Sequence, residues 1–174
     1  DLVPLLIRDA PSIAVPSRFE AWREWIALTR ARYPALDARP RPWSGRINPY
    51  LFIQELFRLS RPGDVVVTGN ASACIIPFQI APLASGVRLF SNSGSASMGY
   101  DIPAAIGAAF AVPAGGRVWA LAGDGSAQLN IQELQTIVHY LLPVKVIVLN
   151  NEGYLSIRSS QTNFFKRLAG EGPE

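Results

Sequence analysis

The sequence predicts an α/β fold, with a mainly parallel sheet flanked by helices in three layers (α/β/α). Three observations carry this expectation. Val118 to Ala122 and Val144 to Leu149 are apolar runs of strand length, and Ile131 to Leu142 between them has helical periodicity. Val65 to Thr68 is short and β-branched, as buried parallel strands are. Hydrophobic residues make up 49% of the 174 and charged residues 17%, which suits one domain with a buried core. If the strands are parallel, the loops after them leave from one carboxyl edge, where open α/β sheets bind ligands.

Taken in order, Arg18 to Arg32 reads as a helix with Phe19, Trp22, Trp25 and Ile26 on one side. Pro34, Pro40 and Pro42 then break regular structure, and the stretch ends at Gly45. Residues 1–46 are therefore expected to form a connector and helix, and residues 47–174 a separate domain. Three of the four tryptophans fall in the first part, so it is expected to pack on something. Asn48 is placed to cap a helix that starts with Pro49 and runs to about Ser60. Arg61 to Asp64 is a turn into the strand Val65–Thr68. Pro77 and Pro82 flank a stretch expected to be irregular or briefly helical. Val87 to Phe90 is a further candidate strand. Pro103 to Val112 is an Ala-rich helix, small on every face and so able to pack closely. Pro113 to Gly116 is a loop before the strand, helix and strand described first. Gly153 to Arg158 begins a loop or helix, and the polar tail Gly170–Glu174 is expected to fray.

Charge and cysteine content exclude several classes of partner. Lys and Arg outnumber Asp and Glu by 16 to 13, without a dense basic run, so no nucleic-acid partner is expected. No apolar stretch approaches a membrane span, and no membrane partner is expected. The single cysteine, Cys74, excludes an internal disulfide and reads as a small buried apolar residue. With no signal-peptide layout at the N-terminus, the expected compartment is the cytoplasm.

The chemistry lies at the two strand ends. Gly123-Asp124-Gly125-Ser126 follows one strand, and Asn150-Asn151 follows the other, 24 residues on. Alone, the first element reads as a turn in which Asp124 caps a helix. The asparagine pair at the second strand end shifts the reading to a metal site. A carboxylate and an amide oxygen beside a glycine-opened backbone suit a small hard cation and a diphosphate. Gly123 and Gly125 permit a tight turn and close approach of N–H groups to phosphate oxygens, and Ser126 offers a hydroxyl. Asn150 is expected to tie the loop together. His139, the only histidine, lies away from the strand ends and is given no catalytic role.

This arrangement resembles the thiamine-diphosphate-binding motif, which begins with GDG and closes with NN at about this spacing. Asn92 to Ala111, NSGSASMGYDIPAAIGAAFA, is similar to the segment that holds the cofactor pyrimidine in acetolactate-synthase-like members of that family. Asp64 to Ala73, DVVVTGNASA, is similar to the strand and diphosphate-contacting turn that open their cofactor domain. The resemblance covers roughly residues 47 to 165. It implies the thiamine-diphosphate-binding fold, with thiamine diphosphate and Mg2+ as cofactors. Asp124, Asn151 and the carbonyl of Gly153 are then the metal ligands. Asn70, Ala71, Gly123, Gly125, Ser126, Tyr154 and Leu155 contact the diphosphate. Met98 is the apolar wedge on which the cofactor bends, and the carbonyl of Ala96 accepts a bond from the pyrimidine amine.

The resemblance further implies a 2-keto acid substrate, with decarboxylation and with or without carboligation. It implies a pyrimidine-binding domain from a partner subunit, and a homo-oligomer at full length. The activating glutamate belongs to that other domain. No glutamate here matches it, so no catalytic residue is assigned and the chain alone is expected to be inactive. The domain is also expected to stop short of the family's last strands. The sequence after the asparagine pair, EGYLSIRSSQTNFF, departs from acetolactate synthases proper and has no Trp. A 2-keto acid decarboxylase of the same superfamily and a binding-only domain are therefore alternatives. A nucleotide diphosphate on a Rossmann-like sheet is the rival outside the family, and it lacks the expected GxGxxG loop.

Overall fold

Four strands form one sheet: β1 (Val65–Thr68), β2 (Arg88–Ser91), β3 (Val118–Gly123) and β4 (Val144–Leu149). Their order is β2-β1-β3-β4 and every neighbouring pair is parallel. The structure, a computed structural model, describes residues 19–34, 36 and 45–166. The chain divides into two compact units, Asp1–Pro40 and Arg41–Glu174. The expected helix start at Arg18, the breaks at Pro40 and Pro42, and the tail 170–174 lie outside the described residues.

In the first unit, α1 (Glu20–Arg32) buries none of its residues. Trp22 and Trp25 stack on each other with centroids 4.9 Å apart. Both stay more than half exposed, at 57% and 55%.

The second unit is layered because its strands are apolar on both faces. Val66, Trp119 and Leu121 point to one side, against Ile53, Leu56 and Phe57 of α2 (Pro49–Arg58) and Ala73 and Ile76 of α3 (Ala71–Ile80). Val67, Val118 and Ala120 point to the other, against Ala105 and Ala109 of α4 (Asp101–Ala111). Alanine on both sides of that second interface lets the helix backbone lie close to the sheet. Fully burying a side chain such as Ile53 or Phe57 contributes about 1.5–3 kcal/mol. The α2 start follows the sequence: Asn48 Oδ1 accepts from the Tyr50 N–H at 2.9 Å and Pro49 stands in the first turn.

Two helical stretches differ from expectation. Pro77 lies inside α3 instead of bounding it. Its missing N–H forfeits one helical bond, but its ring is fully buried, and the packing offsets that loss. Between β3 and β4 there is no single helix over 131–142. A short helix, α5 (Asp124–Leu129), starts at the motif itself. A 3-10 turn (Ile131–Glu133) follows, and α6 (Leu134–His139) completes the connection. The break falls at Asn130, whose side-chain amide donates to the Gly99 carbonyl at 2.6 Å and so leaves helical geometry. After β4, α7 (Leu155–Phe165) is a full helix. No described helix is long and apolar enough to cross a membrane.

Strand order positions the site. β2 lies on one side of β1, and β3 and β4 on the other. The connections after β1 and β3 therefore diverge, and a crevice opens at their carboxyl ends.

Candidate functional site

A cleft open to solvent occupies that crevice. Ten residues singled out from the sequence line it: Asn70, Ala71, Met98, Gly123, Asp124, Gly125, Ser126, Asn151, Tyr154 and Leu155. Ser72, Ala73, Leu149, Ser156 and Ile157 complete the wall and were not anticipated. Ala96 and Gly153 lie outside the wall but bond to residues that form it.

Asp124 is the hub. Its Oδ1 accepts from the Gly125 N–H at 2.8 Å. Its Oδ2 accepts from the N–H groups of Asn151 at 3.0 Å and Gly153 at 2.8 Å. Burial pushes the Asp124 pKa up, but the amides of Gly153, Asn151, Gly125 and Tyr154 outweigh it and hold the carboxyl below its ordinary value. The carboxylate is thus ionised at neutral pH.

The backbone that aims those amides is unusual. Glu152, Gly153 and Tyr154 have φ of 68°, 89° and 48°, three left-handed residues in a row. Only glycine adopts that region without strain, so Glu152 and Tyr154 are held there by the bonds around them. Ala71 and Ala96, at φ 48° and 50°, are two more left-handed residues at the site. Asn150 ties the loop together by accepting from the Glu152 N–H at 2.9 Å. On α7, Arg158 adds a bond to the Asn151 carbonyl at 3.0 Å.

Three anticipated donors are engaged inside the protein. Ser126 is 2% exposed, and its hydroxyl donates to Asp101 Oδ2 while its oxygen accepts from the Gly99 N–H at 2.8 Å. Its one proton is thus placed on Asp101 in this structure. The Tyr154 N–H is directed at Asp124. That of Leu155 makes a long contact of 3.4 Å to Asn151 Oδ1.

Met98 and Ala96 approach from the loop after β2. The Asn70 side-chain amide donates to the Ala96 carbonyl at 3.2 Å, joining the loops after β1 and β2. A carbonyl has two lone pairs, so one stays available. Met98 lies beside Gly125: a Cβ there would stand 3.1 Å from Met98 Cε and 2.7 Å from the Tyr154 ring. A side chain at 125 would therefore need the Tyr154 ring to move.

The donor set fits a hard divalent cation. Asp124 Oδ1 accepts one bond and Asn151 Oδ1 one long one, so both retain lone pairs. Both are oxygen donors of the hard kind that magnesium favours. Among the described residues no group of three or more His, Cys, Asp or Glu side chains is placed to hold a metal. Gly123 and Gly153 have no atom within 4 Å of where a Cβ would stand, which leaves room at the backbone for a ligand.

Comparison with known proteins adds the family context. Residues 69–173 match the family described as thiamine pyrophosphate enzyme, C-terminal TPP binding domain. The acetolactate synthase large subunit of Pyropia yezoensis is 34% identical over 154 residues, covering 86% of this chain and 24% of that protein. The acetolactate synthase of Mycobacterium bovis is 33% identical over 144 residues, covering 83% and 23%. The acetolactate synthase isozyme 3 large subunit of Escherichia coli is 39% identical over 114 residues, covering 62% and 19%. The chain spans at most about a quarter of the length of these curated relatives, 24% for the first.

Proposed function

The chain belongs to the thiamine pyrophosphate enzymes, with residues 69–173 in their C-terminal TPP-binding domain, and from that premise we propose that it holds thiamine diphosphate through Mg2+ at the β1/β3 crevice of an acetolactate-synthase-like enzyme acting on 2-keto acids. The observation that carries the metal reading is the ionised Asp124, fixed by the amides of Asn151 and Gly153 in a left-handed loop that also presents Asn151 Oδ1. The names of the relatives support the substrate class.

In this reading Asp124, Asn151 and the Gly153 carbonyl hold the metal. The backbones of Asn70, Ala71, Gly123 and Gly125 and the start of α7 face the diphosphate. Met98 and Ala96 face the pyrimidine side. When bound, thiamine diphosphate supplies an electron sink for breaking the bond to a keto-acid carboxylate. This chain orients the cofactor and excludes water from one side of it. Acid–base work falls to a pyrimidine-binding domain, supplied by a partner subunit of a cytoplasmic homo-oligomer. Residues 1–46 lead into the cofactor domain at 47–174.

Calorimetric titration of the intact enzyme with thiamine diphosphate, in magnesium and then in EDTA, tests the cofactor reading. Tight binding that requires the metal is expected, and affinity indifferent to EDTA overturns the metal assignment. Carbon dioxide and acetolactate release from pyruvate tests the activity.

A further inference from the structure

Asp101 is the one charged residue of α4 and is fully buried, at 0% exposure. No cation pairs with it among the described residues. A buried carboxyl costs several kcal/mol unless its oxygens are bonded. Its Oδ1 accepts from the Ile102 N–H at 3.0 Å, and its Oδ2 takes the hydroxyl proton of Ser126. The Ser126 oxygen in turn accepts from the Gly99 N–H. The carboxyl also lies against Gly69, where a Cβ would overlap Oδ2. One buried side chain therefore touches the connection after β1 at Gly69, reaches the loop after β2 through Gly99, and reaches the turn after β3 through Ser126.

We propose that Asp101 is a positioning residue, which through Ser126 fixes the separation between the Met98 loop and the Gly123–Ser126 turn. The inference rests on the thiamine diphosphate reading above. A cofactor that spans the site must touch both: its pyrimidine end meets Ala96 and Met98, and its diphosphate end meets the Gly123–Ser126 turn. Gly99, the residue after Met98, and Ser126, two after Asp124, meet in a single hydrogen bond. Asp101 sets the orientation of that bond by taking the serine proton. Without it the hydroxyl is free to turn, and the register of the two loops is left to the Asn130–Gly99 bond alone. Ligands that touch only one loop are indifferent to that register.

The test compares two ligands on the intact enzyme. Thiamine diphosphate with magnesium touches both loops, and magnesium pyrophosphate touches only the turn. Asp101→Ala is expected to weaken thiamine diphosphate about tenfold, the scale of one buried hydrogen bond, and magnesium pyrophosphate less than about twofold. Ser126→Ala breaks the link from the other side and gives the same split, and the double variant is no worse than either single one. Asp101→Asn keeps a carbonyl acceptor for the Ser126 hydroxyl and restores most of the affinity. Equal weakening of both ligands, or of neither, overturns the positioning role while the cofactor reading stands. Multiplying losses in the double variant also overturn it. A wild-type enzyme that binds neither ligand overturns the cofactor reading, and this inference with it.

Discussion

Replacing Asp124 separates the two things its carboxylate does. Asp124→Ala removes the acceptor of the Gly125, Asn151 and Gly153 amides and the one charged oxygen donor to the metal. A hydrogen bond to a charged group is worth about 1.5–3 kcal/mol. The three share one partly exposed carboxylate and water replaces some of them, so the loss of stability is about 3 kcal/mol. For a domain of this size that lowers Tm by roughly 6–12 °C. The metal term is separate. Losing a unit charge beside a cation, at an effective dielectric near 20, costs on the order of 3–4 kcal/mol, or 100- to 1,000-fold in magnesium-supported thiamine diphosphate affinity. Asp124→Asn discriminates between them. Its carbonyl still accepts from Asn151 and Gly153, so about two thirds of the stability is retained, while the charge is lost and affinity falls as far as in Asp124→Ala. Scanning calorimetry and titration calorimetry read the two terms. Wild-type affinity in Asp124→Asn would refute the reasoning and leave the carboxylate as a loop anchor alone.

Asn151→Ala removes a neutral ligand and should weaken metal-supported cofactor binding about tenfold, less than Asp124→Ala; an equal or larger loss in titration would reverse that ranking. Met98→Ala should lower turnover at saturating thiamine diphosphate about tenfold and leave affinity within about threefold, because a misplaced cofactor loses rate before it loses its anchor; full turnover would make Met98 ordinary packing. Gly125→Ala drives a methyl into the Tyr154 ring and Met98 Cε, so a crystal structure should show Tyr154 displaced and cofactor affinity reduced; an unmoved ring counts against the tight fit. At the opposite edge of the sheet, Asp64 pairs with Arg117 through both of its oxygens. Burial raises the Asp64 pKa, but the bonds from Arg117 and the Arg61 amide outweigh it and leave it lowered. A lowered folded pKa gives stability that is full above the unfolded value and lost as pH falls through the folded one. Wild type should therefore lose stability below about pH 4, and Asp64→Asn should flatten that acid limb in pH-dependent melts.

The strands were legible because each is a short apolar run bounded by turn residues. Val65–Thr68 matches residue for residue, and β3 and β4 lie within one residue of expectation. Asn48 and Pro49 announced their helix through capping chemistry that depends on neighbours alone. Pro77 misled because its tolerance depends on a ring buried by tertiary packing, which no local rule contains. Most of the cleft's wall was legible for a related reason: motifs at strand ends converge when strands are parallel. The partners of Ser126 were not. Its bond to Asp101 depends on how α4 and α5 meet, and the only sign in the sequence was a lone carboxylate opening an otherwise apolar, alanine-rich helix.

The left-handed run at Glu152, Gly153 and Tyr154 bears on the thermodynamics of binding. Ordering a backbone residue costs roughly 1–2 kcal/mol in conformational entropy. Here the ordering is complete within the protein itself, because Asp124 gathers the amides of Asn151 and Gly153. That entropy loss is part of folding and not of ligand capture. A metal and diphosphate arriving at such a loop meet a preorganised site. The binding isotherm should then lack the large unfavourable entropy and the strongly negative heat-capacity change that accompany coupled folding. The same preorganisation confines the site's tolerance to substitution: at Gly153, φ of 89° makes any side chain strained whatever space surrounds it.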